Sequence, residues 1–390
     1  MIIIENAKLI SMAQINYEVV DILINEKKIQ KIGKNLRREF PEATIIDVKG
    51  NYVTPGLVDP HCHIGIYEEA IGFEGGDGNE MTNPIYPELR ALDAVKPQDV
   101  AFIEARESGV TTVATGPGSA NVIGGLFCVL KTFGKTIDDM VIIPESSMKM
   151  ALGENPKRVY SASKQSPSTR MATAALMRDW LRKARDYKIK KEAYFAENKD
   201  KDVVKPFDYD MKLESLSRVY DGLLVKIHAH QQDDIVTAIR IIEEFGLNAT
   251  IEHATEAHLI PQYIKDHNIR LILGPTLGSK SKYELRNKSF KSAKILFDAG
   301  VEFAIMTDHP VIHSSNALTQ LGLFVREGLE ELEALKAITI HAARINGVDD
   351  RVGSIEEGKD ADIVVWDNHP LHYMTKPEYV FIDGNIVHKK

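Results

Sequence analysis

Two histidines one residue apart, His61 and His63, close the apolar run Pro55-Gly-Leu-Val-Asp-Pro-His-Cys-His. Side chains alternate across a strand, so both imidazoles project to one face and can share a metal ion. Cys62 between them points the other way and packs. Three further apolar strands end in the same style. Leu223-Leu-Val-Lys-Ile-His-Ala-His ends in His228 and His230, Ala249-Thr-Ile-Glu-His in His253, and Phe303-Ala-Ile-Met-Thr-Asp-His-Pro in Asp308. A lone histidine after a strand is ordinarily structural, and an aspartate there ordinarily caps a helix. Four such ends in one chain point instead to a metal centre drawn from His61, His63, His228, His253 and Asp308. For His230 the period-two pairing with His228 leaves open which ring faces the metal. His258, His267, His341, His369, His372 and His388 fall in helical or terminal contexts and read as structural or solvated.

These ends can meet only if a fold brings them to one rim. Apolar strands begin near Val53, Val110, Leu126, Val141, Leu223, Asn248, Arg270 and Glu302, and helical patterns run over 97–108, 171–198, 233–245, 289–299 and 330–345. That alternation predicts a parallel (β/α)8 barrel, whose catalytic groups sit at the C-terminal ends of its strands. The flanks differ: residues 1–52 and 353–390 carry short alternating strands and turns, and small sheets need partners to bury a face. The chain is therefore divided into a composite β-sandwich domain (1–52 plus 353–390) and a barrel domain (53–352). Residues 170–221 exceed an ordinary connection and read as a charged helix followed by a polar turn at Lys199-Asp-Lys-Asp. The loop over 66–87, with Glu68, Glu69, Glu74, Asp77 and Glu80, reads as a pocket wall or as a solvated acidic loop.

Composition fits an enzyme acting on small molecules. The formal net charge of −8 over 390 residues argues against nucleic acid as a partner. No apolar run approaches the ~20 residues that span a bilayer, and the N-terminus reads as a first strand rather than a signal peptide. Two cysteines, Cys62 and Cys128, imply no disulfide framework and a cytoplasmic setting. Homo-oligomerisation is left open. Gly134-Lys-Thr lacks the earlier glycine of a phosphate-binding loop, and Gly116-Pro-Gly-Ser-Ala is not a serine-hydrolase elbow.

Taken together, Pro55-Gly-Leu-Val-Asp-Pro-His-Cys-His, the strand-end His228, Glu252-His253, Thr307-Asp308 and the tail Gly353-Ser-Ile-Glu-Glu-Gly-Lys-Asp-Ala-Asp-Ile-Val-Val-Trp resemble the amidohydrolase superfamily. The similarity is greatest to the branch holding imidazolonepropionases and prolidase-like enzymes. The resemblance implies a metal-activated water attacking a C–N bond, with His61, His63 and Asp308 on one divalent ion. His228 and His253 would hold a second, or His228 alone would join the first set. Zn suits these ligands, with Mn, Fe or Co as alternatives. Asp308 would also carry the proton. Binuclear relatives bridge their metals with a carbamylated lysine; here Lys149, between Met148 and Met150, is the candidate, with Glu145 and Glu154 as competitors. Deaminase-like and imidazolonepropionase relatives carry an acid three residues after the strand-five histidine, where this chain has Gln231. The reading is thus a hydrolase of a dipeptide, N-acyl amino acid or cyclic amide, with an imidazolonepropionase-like ring opener or heterocycle deaminase as alternative and a non-catalytic scaffold as the remaining class. His230 and Arg170 are the expected substrate contacts: arginine grips carboxylates in bidentate fashion, although a helix-start arginine also commonly pairs with a nearby acid.

Overall fold

The computed structural model describes residues 1–13, 19–199 and 206–390. The N-terminal stretch forms β1 (Ile2–Leu9), β2 (Val19–Asn25), β3 (Lys28–Gly33), β4 (Thr44–Asp47) and β5 (Tyr52–Pro55). The middle of the chain supplies β6 (Leu57–Cys62), β7 (Val110–Thr115), β8 (Ile123–Lys131), β9 (Val141–Ala151), β10 (Leu224–Ala229), β11 (Ala249–His253), β12 (Arg270–Leu273) and β13 (Phe303–Ile305). The C-terminal stretch adds β14 (Ile363–Trp366), β15 (Pro377–Ile382) and β16 (Asn385–Lys389).

Strands β6 to β13 lie side by side in sequence order in one sheet. Most are buried on both faces, which is why they read as near-continuous apolar runs. The sheet curls until its two edges meet, where His63 N donates to His309 O at 2.8 Å and Asp308 N to His61 O at 3.2 Å. One expectation fails. The barrel is not all-parallel, because β8 runs antiparallel to both β7 and β9. The reason is connection length: residues 116–122 join β7 to β8, too few for the dozen or so that a parallel crossover needs. A second difference lies in the helical pattern over 330–345, which forms two helices, Glu331–Ala337 and Ile340–Ile345. The break frees the carbonyl of Ile338 to accept from Val58 N at 2.8 Å, tying this corner to β6.

Both ends of the chain share one eight-stranded sheet, ordered β16-β15-β14-β5-β1-β2-β3 with β4 paired to β1. It folds over on itself: β3 bridges to Asp360 just before β14, and Lys27 pairs with Asp383 at 3.4 Å. Residues from both ends, among them Ile4, Ile22, Ile24, Val53, Ile363, Val365 and Phe381, pack in one cluster. The long charged helix runs over Arg170–Glu197; of the polar turn expected after it, residues 200–202 lie outside the described residues. No helix among the described residues is long and apolar enough to cross a membrane.

A buried charge cluster fastens the terminal sheet to the barrel. Lys131, at the end of β8, places its ammonium 2.7 Å from Asp362, 3.0 Å from Asp360 and 3.3 Å from Asp383. Burial opposes the charge on Asp360, but Lys131, Lys28 and Arg351 outweigh it and bring that carboxyl down to about 2. Removing one member of such a cluster strands the rest. Lys131→Met is expected to cost about 3–5 kcal/mol in urea unfolding. The contribution of Asp360 is complete above its unfolded pKa near 4 and is lost as pH falls towards the folded value. The gap between wild type and variant should therefore narrow in acid; a gap constant from neutral pH down to pH ~2 would contradict this assignment.

Candidate metal centre and active site

The seam of the barrel builds the site. Asp59 in β6 is fully buried, and its carboxylate accepts from the backbone N of Thr307 at 3.2 Å and from the Thr307 hydroxyl. Burial pushes that carboxyl up to about 6. This clasp aligns the end of β6 with the end of β13, so that residues almost 250 positions apart face each other.

His63 donates Nδ1–H to the carbonyl of Gly116 at 2.6 Å, which leaves its Nε2 as a lone pair. A Cβ on Gly116 would stand 2.0 Å from the Phe127 ring, so only glycine lets this carbonyl approach. The Nε2 of His63 lies 3.1 Å from Asp308 Oδ1, an oxygen that is itself buried without a hydrogen bond. Two electron-rich atoms that close need a cation between them. His61 repeats the logic: its Nδ1 meets the carboxylate of Glu252 at 2.5 Å, and its Nε2 turns inward, 3.8 Å from Asp308 Oδ1 and 3.1 Å from Lys149 Nζ. A carboxylate behind a histidine fixes its tautomer and raises its basicity towards a metal.

His228, His230 and His253 form the other half. Their rings pack at 4.3 to 4.7 Å. His253 Nδ1 lies 3.0 Å from the Gly274 carbonyl, and His230 Nδ1 lies 2.7 Å from the Thr255 hydroxyl. Both nitrogens of His228 and Nε2 of His230 are buried without partners. Burial, reinforced by the cationic neighbours of these rings, holds His61, His230 and His253 well below the ordinary histidine range and His228 near 4. Burial thereby favours the neutral imidazole, the form that binds metal. Two triads, His61–His253–Asp308 and His228–His230–His253, each bring a ligand atom from every member within 4.8 Å of the others. The donors thus fit one or two divalent ions.

Lys149 is brought to the same place. It is fully buried on β9, and burial lowers its ammonium to about 8. Its competitors are not: Glu145 pairs with Arg90 and Arg218, and Glu154 opens the helix Glu154–Ala162. Arg170 is also absent from the site. Its guanidinium grips Asp234 at 3.0 and 3.1 Å and the Gln231 side chain at 2.8 Å, the alternative pairing open to a helix-start arginine. With Arg170 and Gln231 locked together, neither lines the cavity.

That cavity, of about 480 Å³, is floored by His63, His228, His230, His253 and Asp308. Its walls include Tyr67 and Asn79 from the loop after β6, Asn155, and Lys282 and Lys288 from the segment after β12. The acidic loop over 66–87 is therefore a wall. A larger recess of about 910 Å³ elsewhere on the molecule holds none of the donor residues.

Residues 52–387 match the model of the Amidohydrolase family. This chain belongs to that family. The amidohydrolase resembles a crystallised amidohydrolase from Thermotoga maritima MSB8, 41% identical with both chains covered in full and a TM-score of 0.95. It is 29% identical over 395 residues to the amidohydrolase tasK of Hapsidospora irregularis, a match that spans 93% of this chain and 39% of that one. It is also 26% identical over 392 residues to the imidazolonepropionase of Thermoplasma volcanium, spanning 92% and 88%. The resemblance read from the motifs is borne out, and the chain is an enzyme of a family acting on C–N bonds and generally dependent on metals.

Three groups near the amidohydrolase centre escaped the sequence reading. Glu252 sits on β11 next to His253, yet nothing in the sequence pairs it with His61. Glu284, in the turn Tyr283–Leu285, is fully buried with its carboxylate 3.7 Å from His228 and 3.5 Å from His230. Lys226 on β10 donates to Pro60 O at 2.9 Å and supports the same strand end. Losing a carboxylate behind a metal ligand typically weakens metal binding 10–100-fold. Glu252→Gln should show about that loss in chelator competition with Zn2+ while remaining folded; unchanged affinity would remove Glu252 from the support of the centre.

Proposed function

We infer that this chain is a metal-dependent hydrolase that cleaves an amide-type C–N bond in a small substrate. The observation that carries the reading is the convergence of His61, His228, His230, His253 and Asp308 in two clustered triads, with His63 3.1 Å from Asp308 and with buried atoms of His228, His230 and Asp308 left without hydrogen-bond partners. A divalent ion held there, with Zn2+ suited to the ligand set and Mn, Fe or Co as alternatives, supplies Lewis-acid polarisation and a lower pKa for water. The residues do the rest. Asp308 accepts the proton of the attacking water on its carboxylate and returns it to the departing nitrogen. Glu252 keeps the inward nitrogen of His61 free of a proton. His230, on the same floor, would contact the substrate near the scissile group.

Dipeptides, N-acyl amino acids and cyclic amides are the substrate classes proposed. Lys282 and Lys288 are the cations that line the cavity, but Lys282 pairs with Glu284 at 2.5 Å and Lys288 donates to Ser279 O at 3.0 Å, so a substrate carboxylate would have to compete for them to take up the task first expected of Arg170. The likeness to an imidazolonepropionase favours ring opening as a second reading; Gln231, engaged by Arg170 and unable to shuttle a proton, weighs against it and against deamination. The division into a composite terminal domain and a barrel belongs to this proposal, as does a cytoplasmic location, which suits the two free buried thiols. Chelated protein should lose turnover and regain it with Zn2+, and His61→Ala should be inactive while still unfolding in one cooperative transition. A metal-free protein that hydrolyses amides at full rate would overturn the reading.

We also infer that Lys149 carries a carbamate that bridges two ions. The neutral amine adds to CO2, forming an N–C bond and releasing one proton. Burial favours that neutral form, and the nitrogen already stands beside His61. Lys149→Ala should lose activity and about one metal equivalent, with partial rescue by short carboxylic acids. A variant that still binds two ions and turns over normally would contradict the bridge.

A further inference from the structure

Outside the centre, among the described residues, one more group of side chains brings ligand atoms within 4.8 Å of one another: Glu69, His309 and His313. His309 follows Asp308 but turns away from the catalytic floor. Its side chain is 1% exposed, and its Nε2 has no hydrogen-bond partner. That nitrogen lies 3.7 Å from Glu69 Oε1. The Ser314 amide donates weakly to its Nδ1 at 3.4 Å, a long bond that would be given up when Nε2 took a metal and Nδ1 carried the proton. His313, four residues on, places Nε2 3.0 Å from the same Glu69 oxygen. Its Nδ1 lies 3.4 Å from a carboxylate oxygen of Glu104, on the helix Val100–Glu107.

We propose that Glu69, His309 and His313 form an accessory transition-metal site, for Zn2+ or a similar borderline cation, separate from the catalytic centre. Ligands of one tetrahedral zinc ion, each bonded at about 2.0–2.2 Å, stand about 3.3–3.6 Å apart, and the spacings of 3.0 and 3.7 Å bracket that range. Two imidazoles and a carboxylate are a ligand set zinc accepts, with a fourth position left for water. Glu104 stands behind His313 at 3.4 Å, a looser and more exposed contact than the 2.5 Å bond of Glu252 to His61, on the side where a carboxylate can orient a metal-bound ring. The buried, unpartnered Nε2 of His309 supplies an independent sign that the cluster is built to receive something.

The position suggests a consequence. Glu69 belongs to the segment after β6 and the two histidines to the segment after β13. Tyr67 of the first and Pro310 and Val311 of the second line the catalytic cavity. An ion there would clamp two walls of the mouth together.

Equilibrium dialysis of the demetallated full chain against Zn2+ across the micromolar range tests this. Wild type should bind one more equivalent than either Glu69→Gln or His313→Ala, and the conservative Glu69→Gln guards against a folding defect in the other. His61→Ala should lose binding at the catalytic centre and keep the accessory equivalent. If both Glu69→Gln and His313→Ala bind as many ions as wild type, the proposal falls. Failure at the catalytic centre alone would leave it standing, so the two readings fail separately.

Discussion

The site depends on how the barrel closes. The edges of an open sheet would leave His61 and His63 at one end and Asp308 at the other, separated by the full width of eight strands. Closure turns them into neighbours, with backbone hydrogen bonds from His63 and Asp308 crossing the seam at the level where the donors must meet. Asp59 reinforces the seam from inside by holding both polar groups of Thr307. A carboxylate buried that deeply is costly, and its hydrogen bonds to Thr307 and His61 N are what offset the cost.

Around this seam the protein decides in advance which nitrogen of His61, His63 and His253 is available. Gly116 and Gly274 carbonyls and the Glu252 carboxylate take the outer nitrogens of His63, His253 and His61, so the inner ones are aimed at a common point. The backbone bends to the same end. His253, Ala254 and Asp308 adopt left-handed φ values of 67°, 47° and 56°, a conformation that costs non-glycine residues about 1–3 kcal/mol each. At the two donor positions, His253 and Asp308, the left-handed turn directs the side chain into the site, which is what a site that orders its ligands before the ion arrives would show.

The same backbone twist explains where the sequence was legible and where it was not. His61 with His63, His228, His253 and Asp308 could be read because each closes an apolar strand, and strand ends in a barrel share a rim. Period-two alternation alone would send Glu252 and His253 to opposite faces, yet the left-handed turn at His253 brings its ring inward beside the Glu252–His61 pair. No local pattern announces that. Glu284 was invisible for a different reason: it sits in a turn, where neither periodicity nor spacing marks direction. The antiparallel β8 was legible only in the shortness of its connection to β7. Arg170 misled because its residue type suits a carboxylate of any origin, and Asp234, in the first turn of the helix Gln232–Phe245, satisfies it internally.

The central claim is that these side chains receive a metal ion. Crystals of the demetallated chain soaked in zinc and measured at the zinc absorption edge test it directly. Anomalous density is expected among the inward nitrogens of His61, His63, His228 and His253 and the Asp308 carboxylate. Zinc peaks confined to other parts of the molecule, with these five side chains bare, would contradict it.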